Sequence, residues 1–286
     1  MKSITENVLI EDSFAGVVVG ALRFEQGIIF IDSPLMPRDA QTWRNSLIKS
    51  GGGTDRQLVL LDEHPDRCMG AKSLKCNLIA HERTALALAG RPISAKPVLA
   101  RTGSIWETLT DLGNLHTSLP EITFTHSMQV HWGPEEIILE YHPGPARGAI
   151  WVLLPSMKIV FVGDCVLSQQ PPFLASADLS AWLDSLATLR SAKYRDYILI
   201  SSRSGIVNQE DVKQQSTFIK HIQSQMEKLA QNKAEPFSIE GLIPEMVKEF
   251  NPRNQKEEEF FKTRLSWGLQ QLYSNHYYPS AKSSNR

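Results

Sequence analysis

Asp62, Glu63, His64 and Asp66 crowd together directly after the apolar run 57–61. Carboxylates and an imidazole are the donor types that hold zinc, iron or manganese. An ion held there would lower the pKa of its bound water to about 7 and supply hydroxide at neutral pH. A second carboxylate, Asp164, ends another apolar run, Phe161-Val162-Gly163. Arg67 interrupts this picture. A guanidinium binds no cation, but its planar fork of donors pairs with carboxylates two at a time. The chemistry therefore turns on whether the loop holds a metal ion or an internal cation.

Each of these residues also has a plainer role. His64 can be a loop or core histidine, and Asp62 can cap a backbone turn. Asp66 and Asp164 can anchor loops by hydrogen bonds. His142, just before Pro143, is a strand-end residue or a substitute imidazole. His81 lies at a non-ligand position after a strand, and His126 and His131 receive no role. Cys68 and Cys165 read as small buried hydrophobes or as soft ligands. No Gly-x-Ser-x-Gly elbow and no glycine-rich phosphate loop occurs.

The elements that must position these residues follow from periodicity. Segments 7–12, 16–22, 27–32, 57–61 and 77–80 read as strands. The run Gly16-Val17-Val18-Val19-Gly20 is apolar on both faces, which suits an interior strand. Helices are expected over 40–50, with Asp39 as N-cap and Gly51–Gly53 as terminator, and over 82–89. One helical turn is expected over 71–75. Segment 91–120, punctuated by Pro92, Pro97 and Pro120, reads as an insertion or lid with a helix over 104–115. A meander of strands is expected over 121–124, 128–131, 136–141, 148–154 and 158–162, with Pro134 and Pro155 in its turns. Asp178 caps a helix through Leu189, and a last strand covers 197–201.

From Asn208 the pattern turns helical. Val212, Ile219, Ile222 and Met226 mark one amphipathic helix. Two more are expected over 238–250 and 257–273. Phe261, Leu265, Leu269 and Leu272 form the stripe of the last, which packs on its own core or on a second copy as a homodimer. Pro279 and the polar tail from Ser280 end the helical region. The domain reading is a core over 1–233 and a helical extension over 234–286.

A net charge of −1 argues against nucleic acid or an anionic membrane surface as partner. No apolar run reaches the ~18 residues of a membrane span, and residues 1–7 carry no signal-peptide pattern. Three widely spaced cysteines suit a reducing cytoplasm rather than a disulfide framework.

Residues 16–207 resemble the metallo-β-lactamase superfamily. The family's His-x-His-x-Asp-His signature stands here as Asp62-Glu63-His64-Pro65-Asp66-Arg67, with Gly70 after it. Its Pro-Gly-His-Thr turn stands as Pro143-Gly144-Pro145-Ala146. Its Gly-Asp strand end is matched by Gly163-Asp164. Its last histidine falls at Ser204, or by a one-residue shift at Arg203. The resemblance implies an α/β, four-layer αββα sandwich with a site between two sheets.

It also implies a dinuclear site with four ligand positions changed. Pro145 and Ser204 are poor ligands, Arg67 is a cation, and Asp62 remains ligand-capable. The expectation is no metal or one divalent ion (zinc, iron or manganese), and not two. One ion would sit on Asp62, His64 and Asp164, with Asp66 as the catalytic base. Arg67 would lie beside Asp66 and Asp164 in place of the second ion, as counter-ion or substrate contact. The function expected is small-molecule or partner binding, with at most weak hydrolysis and without the usual two-metal activity. The alternative is a mononuclear hydrolase of an ester, thioester, lactone or phosphoester.

Overall fold

The computed structural model describes residues 1–91, 94–95, 102–109, 112, 115–133 and 135–278. The expectations at Pro92, Pro97, Pro134, Pro279 and the tail from Ser280 lie outside these residues.

Two sheets face one another. The first holds β1 (Lys2–Ser3), β2 (Val8–Glu11), β3 (Val19–Arg23), β4 (Gly27–Ile31), β5 (Asp55–Val59), β6 (Asn77–His81) and β9 (Ile122–Phe124), in that spatial order. Between these in sequence lie α1 (Pro37–Lys49), α2 (Pro65–Cys68), α3 (Glu82–Ala89) and the short pair β7 (Ser94–Ala95) and β8 (Leu115–His116). The second sheet runs β10 (Ser127–His131), β11 (Glu136–Tyr141), β12 (Ile150–Leu154), β13 (Ile159–Gly163), β14 (Ile198–Ser201) and β15 (Gly205–Val207). The helix α4 (Leu179–Leu189) connects β13 to β14, and α5 (Gln209–Gln231), α6 (Ile243–Lys248) and α7 (Gln255–His276) close the chain.

Alternation along each strand builds the layers, because successive side chains point to opposite faces. Val8, Ile10, Leu22, Ile29, Ile31 and Val59 meet Ile137, Leu139, Val152 and Phe161 between the sheets. The intervening residues Leu9, Ala21, Ile28, Phe30 and Leu58 meet Trp43 and Leu47 of α1 on one outer face. Trp151, Leu153, Val160 and Val162 meet α4, α5, α6 and α7 on the other. The result is the expected αββα order. The α7 stripe of Phe261, Leu265, Leu269 and Leu272 is buried in this last cluster. The face that could have paired with a second copy is therefore covered by the chain itself.

Several expected elements differ. Segment 122–124 pairs in parallel with β6, so it belongs to the first sheet and not to the meander. Met36, not Asp39, occupies the N-cap of α1, because Pro37 already takes the first helical position, where its missing N–H costs nothing. Asp39 lies in the first turn. Over 104–115 the described residues hold a 3-10 turn, Ile105–Thr108, and the start of β8 at Leu115, but no α-helix. Over 238–250 a 3-10 stretch, Pro236–Gly241, precedes the short α6, with Pro244 in the first turn of the latter. Asp178 does cap α4, accepting from the Ala181 amide at 3.0 Å.

The parallel pairs place the site. β4 runs parallel to β5, and β13 runs parallel to β14. Their carboxyl ends therefore open at the same edge of each sheet. Two backbone bonds join the sheets there: Val18 N–H to Ser202 O at 2.7 Å and Ile150 N–H to Leu61 O at 2.9 Å.

Candidate active site

Four aspartates gather at this edge, all buried: Asp32 after β4, Asp62 after β5, Asp66 in α2 and Asp164 after β13. Ionised carboxylates out of water demand cations or strong donors. Two guanidinium groups supply them.

Arg67 is fully buried. Its Nη1 donates to Asp32 Oδ2 at 2.8 Å. Its Nη2 donates to Asp62 Oδ2, lies 3.1 Å from Asp164 Oδ2 and 3.3 Å from His64 Nδ1. Arg203, in the turn between β14 and β15, takes the other side. Its two terminal nitrogens clamp Asp66, with Nη2 to Oδ1 at 3.1 Å and Nη1 to Oδ2. Its Nε donates to Asp164 Oδ1 at 3.2 Å, and Nη1 also reaches Gly16 O at 3.1 Å.

Arg67 thus reaches Asp164 but not Asp66 as a pairing partner. The pairing with Asp66 belongs to Arg203. The reason is the short helix α2, which carries both residues: Asp66 and Arg67 are adjacent and so point to different sides of one turn. Ser204 turns away, accepting from the Ser168 amide at 2.9 Å. Of the two positions considered for the last family histidine, only Arg203 faces the carboxylates. Pro145 is buried in the turn after β11. There Gly144 has φ +146°, and a Cβ would lie 2.5 Å from Trp182 Cα.

Other contacts lock the loop. Asp32 sits in the left-handed region at φ 59°. Its Oδ1 accepts from the Leu61 amide at 2.9 Å, and its Oδ2 accepts from Ser202 Oγ at 2.9 Å. Asp62 Oδ1 accepts from the His64 amide at 2.9 Å, the turn-capping role open to it from sequence. Gly70 passes so close to the chain after β4 that a Cβ would lie 1.8 Å from Pro34 O.

These partners set the charge states. Burial opposes ionisation of Asp62 and Asp164, but Arg67 and His64 hold Asp62 well below the usual carboxylate range, and Arg203 with Arg67 lowers Asp164. Asp32 goes the other way: burial raises its pKa, and Arg67 only partly compensates. The pKa of His64 is raised, because the carboxylates of Asp62 and Asp164 outweigh its burial.

Asp62, His64 and Asp164 offer donor atoms within 4.8 Å of one another, one possible three-residue metal-binding group among the described residues. The Arg67 Nη2 contacts donor atoms of all three. An ion on these donors would compete with that nitrogen, and displacing it would strip a cation from buried Asp32. Asp66 and Asp164, the carboxylates of the expected second ion, are spanned by Arg203. The donor set as arranged fits two guanidinium groups better than two ions.

The remaining candidates stand outside the site. His142 stacks on Trp151 with centroids 3.5 Å apart, and its Nε2 meets Glu140. His81 accepts from the Arg83 amide at 3.1 Å and so caps α3. Cys68 and Cys165 are buried, and burial pushes the Cys68 thiol up to about 12. Sequence reasoning gave no site role to Asp32, Ser202, Phe173 or Arg264. The strand end Phe30-Ile31-Asp32 was a signal for the first. For Arg264 the signal was a charge at helical spacing within the apolar stripe.

No protein-family model matches the sequence, and no curated protein matches it in sequence. Solved structures match it in shape. A metallo-β-lactamase from Pontibacter korlensis is 18% identical, with a TM-score of 0.57 over 77% of this chain and 97% of its own. A metallo-β-lactamase family protein from Thermus thermophilus is 15% identical, with a TM-score of 0.62 over 96% of this chain and 95% of its own. An inverting sec-alkylsulfatase from Pseudomonas sp. is 14% identical, with a TM-score of 0.66 over 99% of this chain. This chain spans about half of that protein, 51% of its length. The chain has the metallo-β-lactamase fold. At these identities the likeness establishes the fold alone.

Proposed function

We propose that this protein is a metallo-β-lactamase-fold protein in which two arginines replace the two metal ions, and that it binds a small molecule rather than hydrolysing one by two-metal chemistry. The observation that carries this reading is the position of Arg67 Nη2, in contact with Asp62, Asp164 and His64 together. A guanidinium satisfies carboxylates but cannot activate water as a Lewis acid. Arg203 adds to this, because its clamp occupies both oxygens of Asp66 and leaves that carboxylate poorly placed to act as a base. The three free cysteines suit a reducing compartment. No helix among the described residues is long and apolar enough to cross a membrane.

Metal analysis of protein purified without chelator tests the reading. The expected result is far less than one zinc, iron or manganese per chain. Near-stoichiometric metal that disappears in a His64→Ala protein overturns it.

The donor spacing around Asp62, His64 and Asp164 favours a second reading, a mononuclear hydrolase of an ester, thioester, lactone or phosphoester. It requires Arg67 to leave its three partners. Hydrolysis across such a panel with metal supplied, lost on His64→Ala, would establish it.

A further inference from the structure

Arg264 is a buried arginine of a different kind. It is 2% exposed, on the inner face of α7. Its Nε donates to Gly103 O at 2.9 Å, and its Nη1 donates to Pro171 O at 2.8 Å and to Gln170 Oε1 at 3.0 Å. These acceptors are neutral. Among the described residues no carboxylate pairs with it, and its Nη2 has no hydrogen-bond partner. The contrast with Arg67 and Arg203, which share four aspartates, is sharp. Arg203 and Arg264 both lie over the Phe173 ring, at 4.5 and 4.2 Å from its centroid.

A buried, unpaired charge is costly, and proteins rarely keep one without a partner. Arg264 lines a cavity of about 450 Å³. That volume lies within the range of small-molecule sites, roughly 300–1,000 Å³. Phe250, Phe260, Phe261 and Ile105 supply apolar wall, and Lys256 and Arg253 add positive charge. Among the described residues Glu257 is the one acid on the wall, and it is engaged by Arg253 at 2.7 Å.

We propose that this cavity binds an amphipathic monoanion: a carboxylate head received by Arg264 Nη2, with an aliphatic or aromatic body against the phenylalanines. One free guanidinium edge suits a single negative charge, and the apolar wall excludes a bare inorganic ion as the best ligand. Without such a ligand the Arg264 guanidinium is pulled down to about 9 by burial and by the nearby Arg203 charge, so its cationic form gains most from an added anion. The proposal rests on the small-molecule-binding reading and names the class of ligand.

Calorimetric titration of the full chain with octanoate, octanol and inorganic phosphate tests it, with metal content measured on the same preparation. Octanoate should bind one per chain, and octanol and phosphate should each bind at least tenfold more weakly. Arg264→Met should weaken octanoate at least tenfold and leave octanol unchanged. If Arg264→Met does not fold, Lys256→Glu, at an exposed position, should weaken octanoate severalfold and spare octanol. Equal binding of octanoate and octanol, or octanoate binding indifferent to both substitutions, overturns the proposal. Stoichiometric metal together with Arg264-dependent octanoate binding would sink the metal-free reading and keep this one.

Discussion

Arg203 grips Asp66 with both terminal nitrogens, although the two lie 137 positions apart in sequence and belong to the edges of opposite sheets. With Asp164 on its Nε, this one side chain bridges the loop after β5 to the end of β13. The pairs are buried, so little solvent screens them. Pairs of this kind are weak evidence for stability as a whole, but breaking one leaves an uncompensated charge.

Replacing Arg203 by Met is therefore expected to cost about 3–5 kcal/mol, the range for removing one partner of a buried pair. Arg203→Lys should cost less, because the charge remains while the bidentate geometry goes. Urea denaturation of the three proteins measures this. Equal midpoints for wild type and Arg203→Met would show that the clamp contributes nothing.

Arg67→His removes the competing cation and supplies an imidazole beside Asp62 and Asp164. This variant should retain about one zinc ion per chain through gel filtration, where the wild-type protein retains little. A metal-free variant that is folded would mean that Arg67 is not what keeps an ion out.

The pH dependence of stability has two arms. The His64 pKa is raised above its ordinary value of about 6.5. Its contribution is full below that value and is lost as pH rises through the folded pKa. Asp62 and Asp164 are depressed, so their contribution is present above about pH 3.9 and is lost as pH falls toward their folded values. Asp32, raised by burial, works against the latter arm, since its neutral form is favoured on folding. Stability should peak on the mildly acidic side of neutrality. Urea midpoints from pH 4 to 9 check this, and His64→Gln should flatten the alkaline fall.

Gly70→Ala should lower stability by about 2 kcal/mol or more, as overpacking does. The added Cβ would meet Pro34 O, which is backbone and cannot rotate aside. Thermal unfolding reads the change; an unaltered midpoint would mean that the turn after α2 yields easily.

Much of this arrangement was legible in the chain. Short apolar runs bounded by turn residues announced the strands, such as β4, β12 and β13, each buried on both faces, and the acidic loop after β5 announced where charge would gather. Asp178 and Asn208 announced the starts of α4 and α5, and both accept the expected backbone amides. Strand 122–124 was misplaced because a three-residue run has no periodicity to say which sheet it joins. Asp39 was misread because two signals, an N-cap side chain and a proline at the first helical turn, competed within three residues.

The sequence by itself determined the inventory: Asp62, Asp66 and Arg67 in the loop after one strand, Asp164 after another and Arg203 after a third, in an order that admits the αββα sandwich. Local chemistry suffices for that, because alternation, capping and turn residues act over a few positions. Which arginine meets which aspartate was decided only by the tertiary structure. Asp32, Asp66, Asp164 and Arg203 come from four distant segments, and their pairing depends on the parallel registers of β4 with β5 and of β13 with β14. Those registers converge the strand ends, and burial there turns a scatter of charges into one compensated cluster.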